Sequence, residues 1–125
     1  MGIRIEVRKL TRFETAEDGS SIEMLVEDTA GRPSSLCFPI DSLTSLIMTL
    51  PRMVTSALQQ RQKDPTLRVV FPLQQFDLEL SSNLATRILT LKTPDGFAVS
   101  FSLNADQSRG LGRAALGKLP ARRLN

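Results

Sequence analysis

LCFPIDSLTSLIMTL (36–50) changes its hydrophobic period partway along, and that change sets the fold. Leu36, Phe38 and Ile40 alternate with other residues, the period of a strand with one buried face. Beyond Asp41 the apolar residues fall at Leu43, Leu46, Ile47, Leu50, Val54 and Leu58, which is helical spacing. Asp41 stands at the switch. Its carboxylate can accept a hydrogen bond from the free N–H groups of a first helical turn, so it is expected as the N-cap. Pro51 lies inside the helical run. It lacks an N–H and crowds the preceding turn, so a kink or break is expected near Leu50. QRQKDP (60–65) ends the helix and reads as a linker.

Upstream, IRIEVRKLTRFET (3–15) alternates. Ile3, Ile5, Val7, Thr11 and Phe13 share one face, while Arg4, Glu6, Arg8 and Arg12 share the other, with a bulge expected near Lys9. EDGS (17–20) is a turn. Ile22, Met24 and Val26 then alternate with Glu23, Leu25 and Glu27, and DTAGRP (28–33) turns the chain again. Short connections of this kind join antiparallel neighbours, so three strands precede the helix.

After the linker the same order restarts. LRVVFPLQQFDLEL (67–80) is expected as one long strand with a change of parity between Leu73 and Phe76. SSN (81–83) is a turn, and residues 84–92 form the next strand. TPDG (93–96) combines a preset φ, a bonding carboxylate and a glycine, which marks a tight turn. Phe97, Val99, Phe101 and Leu103 alternate in the last strand, and Asn104 stands where Asp41 stood, ahead of a second helix over 105–118.

An offset of 63 residues superposes the halves. Leu10 meets Leu73, Phe13 meets Phe76, Leu25 meets Ile88, Val26 meets Leu89, Leu36 meets Val99, Phe38 meets Phe101 and Asp41 meets Asn104. The two middle turns differ in length, so the register slips there and recovers. The expected fold is α+β: two tandem β-meander–helix (βββα) repeats, with an antiparallel sheet packed against two helices. The chain reads as one domain, 1–125, with an internal repeat at 1–62 and 66–118 and a basic tail at 119–125.

The 125 residues suffice for a core, which must be mostly aliphatic because there are six Phe and no Tyr or Trp. The net charge is +3. Acids crowd the first half, none follows Asp106, and the C-terminal stretch carries Arg109, Arg113, Lys118, Arg122 and Arg123. Cys37 is the one cysteine, so no internal disulfide forms; its apolar run suggests a buried thiol. MGIRIEVRK has no signal-peptide core and no apolar run reaches transmembrane length, so a cytoplasmic protein that avoids membranes is expected.

GRAALGKL (112–119) imitates a phosphate loop, and Gly110, Gly112 and Ala115 imitate a dinucleotide fingerprint. Neither holds. Leu119 replaces the Ser or Thr that a phosphate loop needs for its metal, and Pro120 follows where a helix should run. No acid and no βαβ unit follow the second pattern. The stretch instead belongs to the second helix, which its glycines should shorten or soften.

With no His, the commonest general base and metal ligand is missing. Cys37 has no evident activating base, the carboxylates lack Ca²⁺-loop spacing, and no serine sits in a nucleophile elbow. A non-enzymatic module with no cofactor is expected. It is either a self-associating assembly or binding module, or a single-strand nucleic-acid binder. For the first, Leu10, Leu25, Val26, Leu73 and Leu89 stand off the main parity of their strands and are the candidate contacts of a homodimer, with a different protein partner left open. For the second, the layout of two β-meander–helix units resembles the Whirly and Pur families, in architecture alone. Those families bind single strands, and Arg4, Arg8, Arg12, Arg68 and Arg87, with the C-terminal cations, would then track phosphates. That reading lacks stacking platforms, because the phenylalanines look like core.

Overall fold

The computed structural model describes residues 2–121. Arg122 and Arg123 lie outside the described residues. The chain divides into two compact units, Met1–Thr66 and Leu67–Asn125.

In the first unit β1 (Val7–Thr15), β2 (Ser21–Asp28) and β3 (Pro33–Pro39) form an antiparallel sheet in the order β1-β2-β3, followed by helix α1 (Ile40–Gln62). In the second, β4 (Gln75–Leu80), β5 (Arg87–Lys92) and β6 (Ala98–Leu103) form an antiparallel sheet in the order β4-β5-β6, followed by helix α2 (Ala105–Leu116). The α+β class and the order of elements match the expectation from the sequence. The strands form two three-stranded sheets rather than one sheet carrying both helices.

The hairpin turns follow their side chains. The Asp18 carboxylate accepts from the backbone N–H of Ser20 (3.0 Å) and from its hydroxyl (2.6 Å), and Gly19 takes φ +73°. Asp28 accepts from the backbone N–H groups of Ala30 and Arg32, both at 2.9 Å. At the β5–β6 turn, the Thr93 hydroxyl donates to Asp95 and Gly96 takes φ +91°. All three carboxyls are held below their ordinary value of 3.8: Asp18 chiefly by the Ser20 hydroxyl, Asp28 by the Arg32 N–H and Asp95 by the Thr93 hydroxyl. A carboxyl depressed by folding stabilises the fold above its unfolded pKa and loses that contribution as pH falls through the folded value. Acid below about pH 4 should therefore loosen these turns. The Asp28→Asn variant, which keeps an acceptor oxygen without the titration, should lose less stability over that window than the parent in acid titrations followed by circular dichroism.

β1 departs from simple alternation. Its register against β2 shifts between Val7 and Lys9 and again between Leu10 and Arg12, so bulges flank Lys9 on both sides. The shift between Leu10 and Arg12 puts Leu10 on the face of Phe13, opposite Val26. The regular strand starts at Val7, and Ile3 and Ile5 lie outside it.

The expected long strand at 67–80 is shorter. Residues 67–74 are not in a ladder, and β4 begins only at Gln75. Pro72 has no N–H to give a ladder, which explains why pairing stops short of it.

Two expectations for α1 are corrected. Its N-cap is Pro39, with no side-chain cap, and Asp41 lies within the first turn, where its charge favours the positive end of the helix. The helix also runs unbroken through Pro51 for 23 residues. The apolar residues on both sides of Pro51 keep one face, and that continuity outweighs one missing bond.

Asn104 does cap α2, accepting from the N–H of Gln107 (2.8 Å), while the Gln107 side chain accepts from the N–H of Asn104 (3.0 Å). This reciprocal pair is a capping box. The helix has 12 residues and ends at Gly117, so it is the shorter of the two, as its glycines predicted. A Cβ at Gly110 or Gly112 would meet nothing within 4 Å. Gly110→Ala and Gly112→Ala should each stabilise the second unit by about 1 kcal/mol, read by chemical denaturation.

Candidate self-association surface

Cross-strand partners point to the same side of a sheet, so the register defines its faces. In the second unit one face takes Phe76, Leu78 and Leu80 from β4. Arg87, Leu89 and Leu91 of β5 lie opposite them, and Leu103, Phe101 and Val99 of β6 complete the rows. Eight of those nine residues are apolar. The other face carries Asp77, Glu79, Lys92, Thr90, Ser100 and Ser102, among others, with Ile88 the large exception. Asp77 and Lys92 lie 3.9 Å apart there, and the Thr90 and Ser100 hydroxyls are hydrogen-bonded at 2.8 Å. The sheet is amphipathic, and alternation alone produces this.

Water still reaches the apolar face. α2 packs on β6, where Val99 and Leu103 are half-buried while Ser100 and Ser102 are exposed, so the helix lies on the apolar side. It leaves β4 open: Phe76, Leu78 and Leu80 are 64%, 52% and 57% exposed. No described residue of 67–121 is buried.

The first unit repeats this with more cover. Phe13, Met24 and Leu36 share one face, as do Leu10, Val26 and Ser34. α1 touches β2 and β3; Leu36 and Phe38 are half-buried while Ser35 and Cys37 are exposed, so the helix covers the apolar side. Val26 is buried, whereas Leu10 and Phe13 on the outer strand are open. Cys37 points to the opposite, polar face beside Glu23 and is exposed, which corrects the expectation of a buried thiol.

The five leucine and valine candidates do not form one patch. Leu10 and Val26 share the apolar face of the first sheet, the latter inside it, and Leu25 lies half-buried on the polar face opposite Ser35. Leu89 is central to the apolar face of the second sheet, and Leu73 is exposed before β4 begins. Val26 and Leu89 stand on the main parity of their strands, not off it.

The candidate cations are dispersed as well. Arg4 pairs with Glu6 (3.0 Å), Arg12 with Glu14 (3.1 Å), Arg8 with Glu27 and Arg109 with Asp106. Arg87 is half-buried on the apolar face of the second sheet. Arg68 precedes β4, Arg113 lies in the last turn of α2 and Lys118 follows its cap. A cleft of ≈ 550 Å³ beside the β2–β3 turn is lined by Arg4, Glu6, Asp28 and Arg32 among others, charges that pair locally.

Among the described residues no three His, Cys, Asp or Glu gather as metal ligands, and no helix is long and apolar enough to cross a membrane. The residues that sequence reasoning passed over are Phe76, Leu78, Leu80 and Phe101, the phenylalanines among them having the look of core. Period marks a face as apolar, but it does not say whether the chain supplies a layer to cover it. Comparison with protein-family models, curated proteins and solved structures found no match.

Proposed function

We propose that the chain is a small non-enzymatic assembly module that associates with a second copy of itself in the cytoplasm, built from two copies of one βββα plan. One observation carries the reading: among the described residues a single hydrophobic side chain, Val26, is buried. The surface area is 10756 Å² for 13.8 kDa. Two folded halves of this size, each alone in water, would expose roughly 8,000 Å². Large hydrophobic side chains left exposed together, Phe76, Leu78, Leu80 and Phe101 among them, mark a chain completed by a partner. The two-copy plan is supported by face parity: at the 63-residue offset Phe13 and Phe76, Val26 and Leu89, and Phe38 and Phe101 each lie on an apolar face, and Leu25 and Ile88 on a polar one. The caps do not follow that offset, since α1 is capped by Pro39 and α2 by Asn104.

The single-strand reading gains one observation, the exposed Phe76 and Phe101 on the face that holds Arg87. Aromatic side chains on an open sheet can stack bases. The remaining residues of that face are aliphatic, and Arg4, Arg8, Arg12 and Arg109 are engaged with acids, so self-association is favoured. Light scattering on a size-exclusion column at low and moderate salt, with and without a short single-stranded oligonucleotide, separates the two. A salt-insensitive dimer that ignores the oligonucleotide is expected. A monomer that co-elutes with the oligonucleotide at low salt alone would replace this reading with the other.

A further inference from the structure

We infer that a second copy of this chain joins at the open edge of β6, strand β6 against strand β6, antiparallel, across a two-fold axis at Ser100. The inference rests on the self-association reading and assigns its interface.

Backbone register decides which groups an edge offers. The Thr93 N–H donates to the Phe97 carbonyl, which fixes the alternation along the β5–β6 ladder. The N–H groups of Val99, Phe101 and Leu103 point to β5, and those of Ala98, Ser100 and Ser102 point outward. These last three residues are exposed, and among the described residues nothing bonds their backbone N–H and C=O groups. β6 carries no proline, no charge and no register shift. Such an edge is a template for another strand.

The other edges are blunted. At the end of β3 the Ile40 N–H donates to the Ser20 carbonyl, so residues 33, 35, 37 and 39 turn outward. Pro33 and Pro39 stand at two of those positions and have no N–H to give. β1 is interrupted by two register shifts and carries Arg8, Lys9 and Arg12. The first unit therefore offers β6 no regular strand. In β4 the Ser81 N–H donates to the Thr86 carbonyl, which turns Phe76, Leu78 and Leu80 outward. Those residues lie on the apolar face, whereas Ala98, Ser100 and Ser102 lie on the polar one. Joining β4 to β6 would put apolar side chains among polar ones.

β6 matches itself. Outward residues bond outward residues in an antiparallel pair, and about Ser100 they are symmetric. Ser100 faces the second copy's Ser100, and Ala98 faces its Ser102. Between these bonded pairs Val99 meets Phe101 and Phe97 meets Leu103, apolar against apolar on one face. Phe97 and Phe101, 58% and 52% exposed, thereby gain apolar neighbours. No charge opposes another. Asn104 lies about 13 Å from the axis along the strand, so α2 and its twin start from opposite ends of the joined strands.

The test uses the full chain and the residue that faces its own twin. In sedimentation velocity, Ser100→Asp and Ser100→Lys should each weaken self-association by roughly fivefold, and mixing the two variants should restore it. The mixture separates repulsion from misfolding, because an unfolded variant regains nothing. Hydrogen exchange of the unaltered chain across a concentration series gives a second readout. Amides of Ala98, Ser100 and Ser102 should gain protection as the dimer forms, while those of Val99 and Phe101, bonded to β5, keep theirs throughout. A dimer untouched by both substitutions, or outward amides that stay unprotected in the dimer, would overturn the assignment and leave self-association standing. Outward amides already protected in the monomer would place another strand of the same chain on this edge, and would overturn it too. A parent chain that is monomeric at every concentration would end both.

Discussion

Val26→Asp should abolish the fold of Met1–Thr66. Val26 is 4% exposed, and its cross-strand neighbours on the apolar face are Leu10 and Ser34. A carboxylate there gains no cationic partner and loses its water, a cost of several kcal/mol. A unit of this size is stable by only about 3–5 kcal/mol, so the loss exceeds the reserve. Val26→Ala removes two methyl groups and should cost about 2 kcal/mol, leaving the unit folded but weakened. Amide spectra would show β1–β3 resonances collapsing in the Asp variant and persisting in the Ala variant. A folded Asp variant would mean that the first sheet is organised around some other residue.

Pro51→Ala should have the largest stabilising effect of any single change. Pro51 is exposed and sits in the middle of an unbroken helix, where it cannot donate to the carbonyl of Ile47. Alanine restores that bond and relieves the crowding of the preceding turn, worth about 3 kcal/mol in a helix interior. In a unit this small the melting midpoint should rise by roughly 10 °C or more. A neutral result in thermal or chemical denaturation would mean that the helix has already paid for the proline through packing on its other residues.

Much of this architecture was legible in the residues. The change of period between Ile40 and Leu43 located a strand-to-helix junction to within two residues. The turns at Asp18, Asp28 and Asp95 were readable because a short carboxylate, a small residue and a glycine act locally, within four residues of one another. The Asn104 cap was readable for the same reason. What failed depended on distant partners. Pro72 ended a ladder whose missing neighbour no local pattern reveals. Pro51 was tolerated because one apolar face is continuous on both sides of it. Leu10 joined the apolar face through the register shift between Leu10 and Arg12, which reverses its parity, and a strict alternation placed it off that face. The open apolar face was the least legible part. Phe76 and Leu78 carry the same alternation whether a helix, a second sheet or a second molecule lies above them.

The concentration dependence of thermal unfolding tests the central claim most directly. Anything that binds the folded chain and not the unfolded one raises the midpoint by mass action, and for a self-associating chain that ligand is the chain itself. The unfolding midpoint should climb by several degrees from low micromolar to high micromolar protein. A midpoint that does not move over that range, in a chain whose mass in solution is that of the monomer, would contradict the account.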